Sequence, residues 1–156
     1  MTGKHLFVLL LTFLITGCSI FVKKPGQELK GSNVVCILFN SKGFKTEVVK
    51  NVSEFLAGKG FKVVTDTVKK AKYYNSDDYA AVVYMAELWA WHTPLHAKKF
   101  YRKNSEAENV IFVITSGDPD VVIKKPFDAV TSASRPDQVN RVSGEIMERL
   151  DSILGK

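Results

Sequence analysis

The sequence of 156 residues predicts an α/β fold, a three-layer sandwich in which helices cover both faces of a mostly parallel five-stranded sheet. Three observations lead to this prediction. Short apolar runs alternate with amphipathic or polar stretches along most of the chain. The run over residues 79–85 is apolar throughout, as expected for a strand covered on both faces. The first apolar run, residues 34–39, leads through a short polar loop into an amphipathic stretch, which is the first half of a βαβ unit.

The individual elements follow from periodicity and from turn residues. Strands are predicted over residues 34–39, 61–65, 79–85, 109–115 and 127–131. Helices are predicted over residues 46–56 and 94–103 and over a last stretch in which Val139, Val142, Ile146, Leu150 and Ile153 recur at helical spacing. Gly58 and Gly60 end the first helix, and a short helix at most is expected within residues 68–74.

At this length the strand order 2-1-3-4-5 is the natural candidate for a doubly wound sheet. One connection is irregular. Only residues 116–126 join the last two predicted strands, and a parallel crossover needs about a dozen residues. Either the fourth crossover has shortened to a turn, or the edge strand is not parallel.

The charge and composition restrict the possible partners only mildly. The net charge is +6, and the lysines are scattered along the chain, often in pairs. Such a distribution indicates a solvated basic surface, which could face anionic lipid. There is no nucleic-acid-binding signature, so nucleic acid is not predicted as a partner.

The residue types needed for a metal site or for nucleophilic catalysis do not form a recognisable pattern. His92 and His96 are four residues apart, but the intervening proline places His92 outside the predicted helix, and His5 lies in the leader. We therefore predict no metal and no catalytic residues. Cys36 lies within a predicted strand and is expected to be a buried thiol, whereas Cys18 has a different role, so no disulfide is expected.

The first residues of the chain have the pattern of an export signal. A short basic start precedes an apolar core over residues 6–15, and Ile15-Thr16-Gly17-Cys18 follows. This tetrapeptide resembles the lipobox of bacterial lipoproteins. The resemblance implies cleavage before Cys18, acylation of its thiol and its new amine, and attachment to a membrane on the exported side of the bacterial cell envelope.

This resemblance divides the chain into a signal peptide (1–17), a lipidated tether (18–32) and one folded domain (33–156). The alternative is an uncleaved membrane anchor over residues 6–22, which is at the short limit for crossing a bilayer. The lipoprotein is the favoured interpretation.

The loop after the first predicted strand contains Ser41, Lys42, Gly43, Lys45 and Thr46. It resembles the phosphate-binding loop of the flavodoxin-like family, in which hydroxyl residues flank a Thr-Gly pair before the first helix. Here the outer hydroxyls are present, the glycine is shifted by one place and the middle threonine is absent. The resemblance implies that backbone N–H groups at the helix start hold the phosphate of FMN. The alternative is a plain βα turn with a capping hydroxyl.

The loop over residues 86–96 contains Trp89 and Trp91 and resembles the family's flavin-stacking loop. An aromatic ring placed against an isoalloxazine gains both stacking and burial. Glu87 stands where the family usually has a Ser-Pro or Thr-Pro, and its carboxylate would repel a phosphate. The alternatives are a tryptophan lid over the core or a patch that binds a partner.

The end of the fourth predicted strand, with Thr115, Ser116 and Gly117, resembles the segment that lines the pyrimidine edge of the flavin. Its N–H groups and small hydroxyls would suit the flavin carbonyls. Together the three loops imply a non-covalent FMN site at the carboxyl edge of the sheet.

The residues before the last helix suggest two different roles for Ser134. The stretch over residues 128–134 is similar to a motif in which a flavin transferase attaches FMN through a phosphoester, which would make Ser134 the acceptor. Ser134 followed by Asp137 also resembles a capping box. We favour the cap.

Two functions from different classes remain. The flavodoxin-like resemblance implies FMN binding and electron transfer with a redox protein partner. The alternative is a flavin-free module of the same fold that uses the Trp89/Trp91 loop to bind a partner. The sequence leaves open whether the protein is an enzyme.

Overall fold

The computed structural model of the chain describes residues 29–40, 43–88, 92–117 and 129–155. Within these ranges the strands are β1 (Gly31–Leu38), β2 (Lys62–Asp66), β3 (Tyr79–Glu87), β4 (Val110–Ser116) and β5 (Ala129–Ala133). The α-helices there are α1 (Gly43–Gly58), α2 (Leu95–Lys103) and α3 (Val139–Leu154), with short 3₁₀ helices at Val68–Tyr73, Ser76–Asp78 and Pro136–Gln138. No helix in the described part of the chain has the length and apolar character needed to cross a membrane.

The sheet has the order β2-β1-β3-β4-β5, as the sequence predicted. Every neighbouring pair of strands is parallel. The edge pair runs from Phe112 beside Ala129 to Ser116 beside Ala133. The alternative of a non-parallel edge is therefore wrong, and the fourth crossover is short, with residues 117–128 joining the two strands.

The helices cover both faces of the sheet, which confirms the three-layer arrangement. Helices α1 and α3 pack on one face, where Val48, Val52, Ile146 and Leu150 have at most 1% of their surface exposed. Helix α2 and the 3₁₀ helix Val68–Tyr73 pack on the other face. Burial of each such aliphatic side chain contributes roughly 1.5–3 kcal/mol.

The element boundaries differ from the predicted ones in ways that the packing explains. Helix α1 begins at Gly43, three residues early, because Phe44 and Lys45 are buried in its first turn. Strand β1 begins at Gly31, two residues before the predicted start of the domain. Strand β5 lies two residues later than predicted, where Ala133 pairs with the end of β4.

A buried carboxylate joins β2 to the 3₁₀ helix that follows it. Asp66 accepts hydrogen bonds from the Tyr74 hydroxyl and from the Thr67 N–H, both at 2.7 Å, and the Lys70 ammonium lies 3.0 Å away. Burial on its own would raise the pKa of Asp66, but the hydrogen bonds and the charge of Lys70 outweigh it and hold the pKa below its usual value. The ionised carboxylate therefore stabilises the fold.

We expect Asp66→Asn to lower the free energy of unfolding by about 1–3 kcal/mol at neutral pH, because an amide cannot replace all three interactions. The folded-state pKa is lowered, so this stabilisation is present above the unfolded pKa of about 4 and is lost as the pH falls through the folded value. Urea unfolding at neutral and acidic pH measures the difference, with Asp77→Asn, an exposed site, as the control. A loss of equal size at both pH values would contradict this assignment.

Candidate functional site

Strands β1 and β3 are neighbours in the sheet, but the chain leaves them toward opposite faces. Helix α1, which follows β1, packs beside α3, whereas α2, which follows β3, packs on the other face. In open α/β sheets the carboxyl edge between two strands whose connections diverge in this way is the place where ligands bind. We refer to this place as the β1–β3 crevice.

The amino end of α1 forms one wall of the β1–β3 crevice. Gly43 opens the helix with a φ of +37°, in the left-handed region that glycine tolerates best. Phe44 is buried and holds this turn against the core, while the Thr46 side chain is exposed. The first turn has no acidic residue, so the helix dipole there favours an anion.

A partly buried ion pair joins the start of α1 to the end of β3. The Lys45 ammonium lies 3.0 Å from a carboxylate oxygen of Glu87, the last residue of β3. Only 4% of the Lys45 side chain is exposed, compared with 50% for Glu87. Lysine is rarely buried to this degree without a partner. Lys45, a lysine of the predicted phosphate-binding loop, is thus paired with the Glu87 carboxylate, which the sequence analysis expected to repel a phosphate.

The end of β4 lies beside the end of β3 at the same edge of the sheet. Thr115 pairs with Glu87 in the sheet, so its backbone lies directly beside the ion pair. The Thr115 hydroxyl is buried and donates to the Ala86 carbonyl at 3.4 Å, and the Thr115 carbonyl accepts from Leu88 N–H at 2.8 Å. The Ser116 carbonyl accepts from the N–H of residue 134 at 2.8 Å. Gly117, which is exposed, is where this strand end is open to a ligand.

The structure therefore brings part of the predicted site together. Gly43, Lys45 and Thr46 lie in the first turn of α1, Lys45 contacts Glu87, and Glu87 pairs with Thr115 in the sheet. Ser116 and Gly117 follow Thr115 at the end of β4, and the remaining predicted site residues lie outside the described ranges: Cys18, Ser41, Lys42, Trp89 and Trp91.

The predicted capping of the last helix by Ser134 is wrong. A 3₁₀ turn, Pro136–Gln138, precedes α3, and the residue at the cap position is Gln138, which makes no side-chain cap bond. The Asp137 carboxylate is engaged by Arg135 at 3.1 Å instead. The buried Ser134 hydroxyl has no hydrogen-bond partner among the described residues.

Cys36 lies in the middle of β1 and is fully buried, as predicted for this thiol. Within the described ranges, no three His, Cys, Asp or Glu side chains lie together in a way that could hold a metal ion.

Sequence reasoning missed two features of this molecule. It did not pair Lys45 with Glu87, although Lys45 continues the helical stripe of Val48, Val49 and Val52, which indicates an inward position. It also missed the Asp66 network, for which the sequence gives no local signal.

Comparison with known proteins identifies the fold. No protein-family model and no curated protein matches the chain. Among solved structures, it is similar to a mutant flavodiiron protein from Thermotoga maritima, with 13% identity and a TM-score of 0.56 over 83% of this chain and 38% of that one. The flavodiiron protein from Giardia intestinalis gives 8% identity and a TM-score of 0.54 over 81% and 38%. A flavodoxin from the domain Archaea gives 8% and 0.50 over 77% and 97%.

The chain thus spans 38% of the length of the two flavodiiron proteins and nearly the whole of the archaeal flavodoxin. The sheet order and these likenesses together establish a flavodoxin-like fold.

Proposed function

We propose that this flavodoxin-like domain binds FMN at the β1–β3 crevice and transfers electrons to or from a partner protein. The observation that carries the proposal is the arrangement of groups at the β1–β3 crevice. It lies at the switch point of the sheet, with the amino end of α1 and a lysine ammonium on one side and the end of β4 close by. Flavodoxins and flavodiiron proteins are among the structures that share the fold.

The donors at the crevice fit the phosphate group of FMN. The first turn of α1 offers N–H groups, with no acidic residue among them, and the Lys45 ammonium lies in the same turn. Helix N-termini and ammonium groups are common phosphate ligands in proteins. Ser41, Lys42, Gly43 and Thr46 would complete the loop around the phosphate. When bound, FMN supplies the redox chemistry, and the protein supplies its position and electrostatic environment.

Glu87 determines how the phosphate enters. Its carboxylate occupies the ammonium that a phosphate would use, so binding requires Lys45 to exchange one anion for another. Half of the Glu87 side chain is exposed, so the displaced carboxylate can turn into water at modest cost, whereas the buried Lys45 stays in place. The phosphate would then restore a charge partner for Lys45.

The flavin ring would lie between the Trp89/Trp91 loop and the Thr115–Gly117 strand end. The Thr115 hydroxyl and carbonyl are used within the sheet, which leaves Gly117 as the exposed point of contact on this side. Stacking on a tryptophan would add about 0.5–1.5 kcal/mol to the burial of the ring.

Tryptophan fluorescence tests this proposal, because both tryptophans of the chain lie in the one loop. We expect FMN to quench it and Trp89→Ala to weaken FMN binding by more than tenfold, roughly 1.4 kcal/mol. Tyr73→Ala, at an exposed aromatic on another surface, is the control and should bind normally. If Trp89→Ala bound FMN normally, the flavin ring would not lie against this loop.

One observation favours a second function, that of a flavin-free binding module using the Trp89/Trp91 loop. Lys45 and Glu87 pair without any bound anion, so the buried ammonium already has a charge partner in the ligand-free state. If FMN does not bind in the fluorescence titration and a protein partner protects the tryptophan loop, the domain would have this second function.

For the whole chain we propose a bacterial lipoprotein. Acylation of Cys18 would hold the domain at the membrane on the exported side of the cell envelope, and the tether would let it reach a redox partner.

A further inference from the structure

A groove lies between α2 and the 3₁₀ helix Val68–Tyr73, on the face of the sheet opposite to α1. Its volume is about 580 Å³, within the range of small-molecule sites. Val68, Ala71 and Phe100 form an apolar floor. Leu95, 75% exposed, stands at the rim. Among the described residues, none of those placed at the β1–β3 crevice lines this groove.

Four lysines surround this apolar floor: Lys69, Lys72, Lys99 and Lys103. No acidic side chain among the described residues lines the groove, and none of the four forms an ion pair with a described carboxylate. Burial, and to a smaller extent the charge of Lys69, lower the pKa of the neighbouring His96. An uncompensated positive field therefore acts on an apolar cleft.

We propose that the groove binds a small amphipathic anion, with an alkyl chain on the floor and a carboxylate-like head between the lysines. Charge complementarity selects the head group, and the floor together with the methylene stems of the lysines selects the alkyl chain. The Lys103 ammonium donates to the Tyr74 carbonyl at 3.0 Å, and the Lys72 ammonium lies 4.8 Å from the centre of the Tyr73 ring. Lys69 on the 68–73 side and Lys99 on α2 are therefore the lysines that can approach a single anionic head from both walls.

Other occupants fit the groove less well. Val68, Ala71 and Phe100 are recessed, with at most 4% exposure, so they cannot insert into a bilayer as membrane-binding side chains do. A protein partner would need about 800 Å² of surface on this side, far more than a single short groove offers. The tether of this chain, residues 18–32, carries three lysines and one glutamate, and its positive charge would be repelled.

Dodecanoate below its micelle concentration is a suitable probe, added to the full chain and followed by isothermal titration calorimetry. We expect it to bind more tightly than dodecanol and than dodecyltrimethylammonium, which have the same alkyl chain with neutral and cationic heads. Lys69→Gln/Lys99→Gln should weaken dodecanoate binding by about tenfold, because it removes one charge from each wall. The matched control is Lys62→Gln/Lys98→Gln, at exposed lysines that do not line the groove.

Comparing variants also cancels any binding of alkyl chains to the apolar leader at residues 6–15, which all of them share. Leu95→Ser, at the exposed rim, should weaken dodecanoate binding without unfolding the domain. Equal affinity of the two double variants, or equal binding of dodecanoate and dodecanol, would overturn the proposal. So would binding to phosphatidylglycerol vesicles that depends on Lys69 and Lys99 while free dodecanoate does not bind, since the groove would then be part of a membrane-facing surface.

Discussion

Replacing Glu87 by glutamine is expected to tighten FMN binding by about tenfold, or 1.4 kcal/mol. The glutamine keeps the size of the side chain but no longer competes with the phosphate for the Lys45 ammonium, which lies 3.0 Å from the Glu87 carboxylate in the ligand-free domain. The ligand-free variant should be less stable than the wild type, because it holds a buried ammonium without its partner. Equilibrium titration with FMN and urea unfolding measure the two effects.

Replacing the other partner of the ion pair is expected to change FMN affinity in the opposite direction. Lys45→Gln should weaken FMN binding by about tenfold, because it leaves the Glu87 carboxylate facing the phosphate without compensation. Lys50→Gln, at an exposed lysine of the same helix, is the control and should change little. If Glu87→Gln and Lys45→Gln both weakened FMN binding, the ion pair would serve only to hold the strand end, and the exchange of anions at Lys45 would be excluded.

The substitution Cys18→Ser is expected to abolish incorporation of radiolabelled palmitate. The hydroxyl cannot be acylated as the lipobox thiol is, so the leader should remain attached and the chain should keep residues 1–17. Cys36→Ser is the matched control, since that thiol is buried in β1 and should play no part in labelling.

Wild-type protein that takes up no palmitate yet stays in the membrane fraction would contradict the lipoprotein and favour the uncleaved anchor over residues 6–22.

The fold was predictable because its signals are local. Continuous apolar runs identified β1, β3 and β4, and the spacing of Val142, Ile146 and Leu150 identified α3. The direction of the edge strand was not predictable, because a connection of residues 117–128 is close to the minimum for a parallel crossover and no residue in it decides the matter.

The positions of the candidate segments in the fold were predictable, but the electrostatic contacts between them were not. The amino end of α1 and the end of β4 lie where the sequence placed them, since parallel strands bring their carboxyl ends to one edge. The pairing of Lys45 with Glu87 joins residues far apart in the sequence, and no local pattern reports such a contact. The inward position of Lys45 could have been found, because it continues the stripe of Val48, Val49 and Val52.

Ser134 shows the limit of a short motif. A serine three residues before an aspartate satisfies the pattern of a capping box, but Pro136 opens a 3₁₀ turn there and moves the start of α3 to Val139. The Asp137 side chain then pairs with Arg135 instead of reaching back to the serine. The conformation of the intervening turn, which the motif does not specify, decided the outcome.

The most direct test of FMN binding at the crevice compares FMN with riboflavin, which has the same ring and no phosphate. Titration of both into the wild-type protein, followed by tryptophan fluorescence, gives the two dissociation constants. We predict that FMN binds at least about tenfold more tightly, because the α1 amino end and Lys45 act on the phosphate alone. Equal affinities would show that the loop after β1 is only a turn, and an absence of quenching by either ligand would contradict flavin binding altogether.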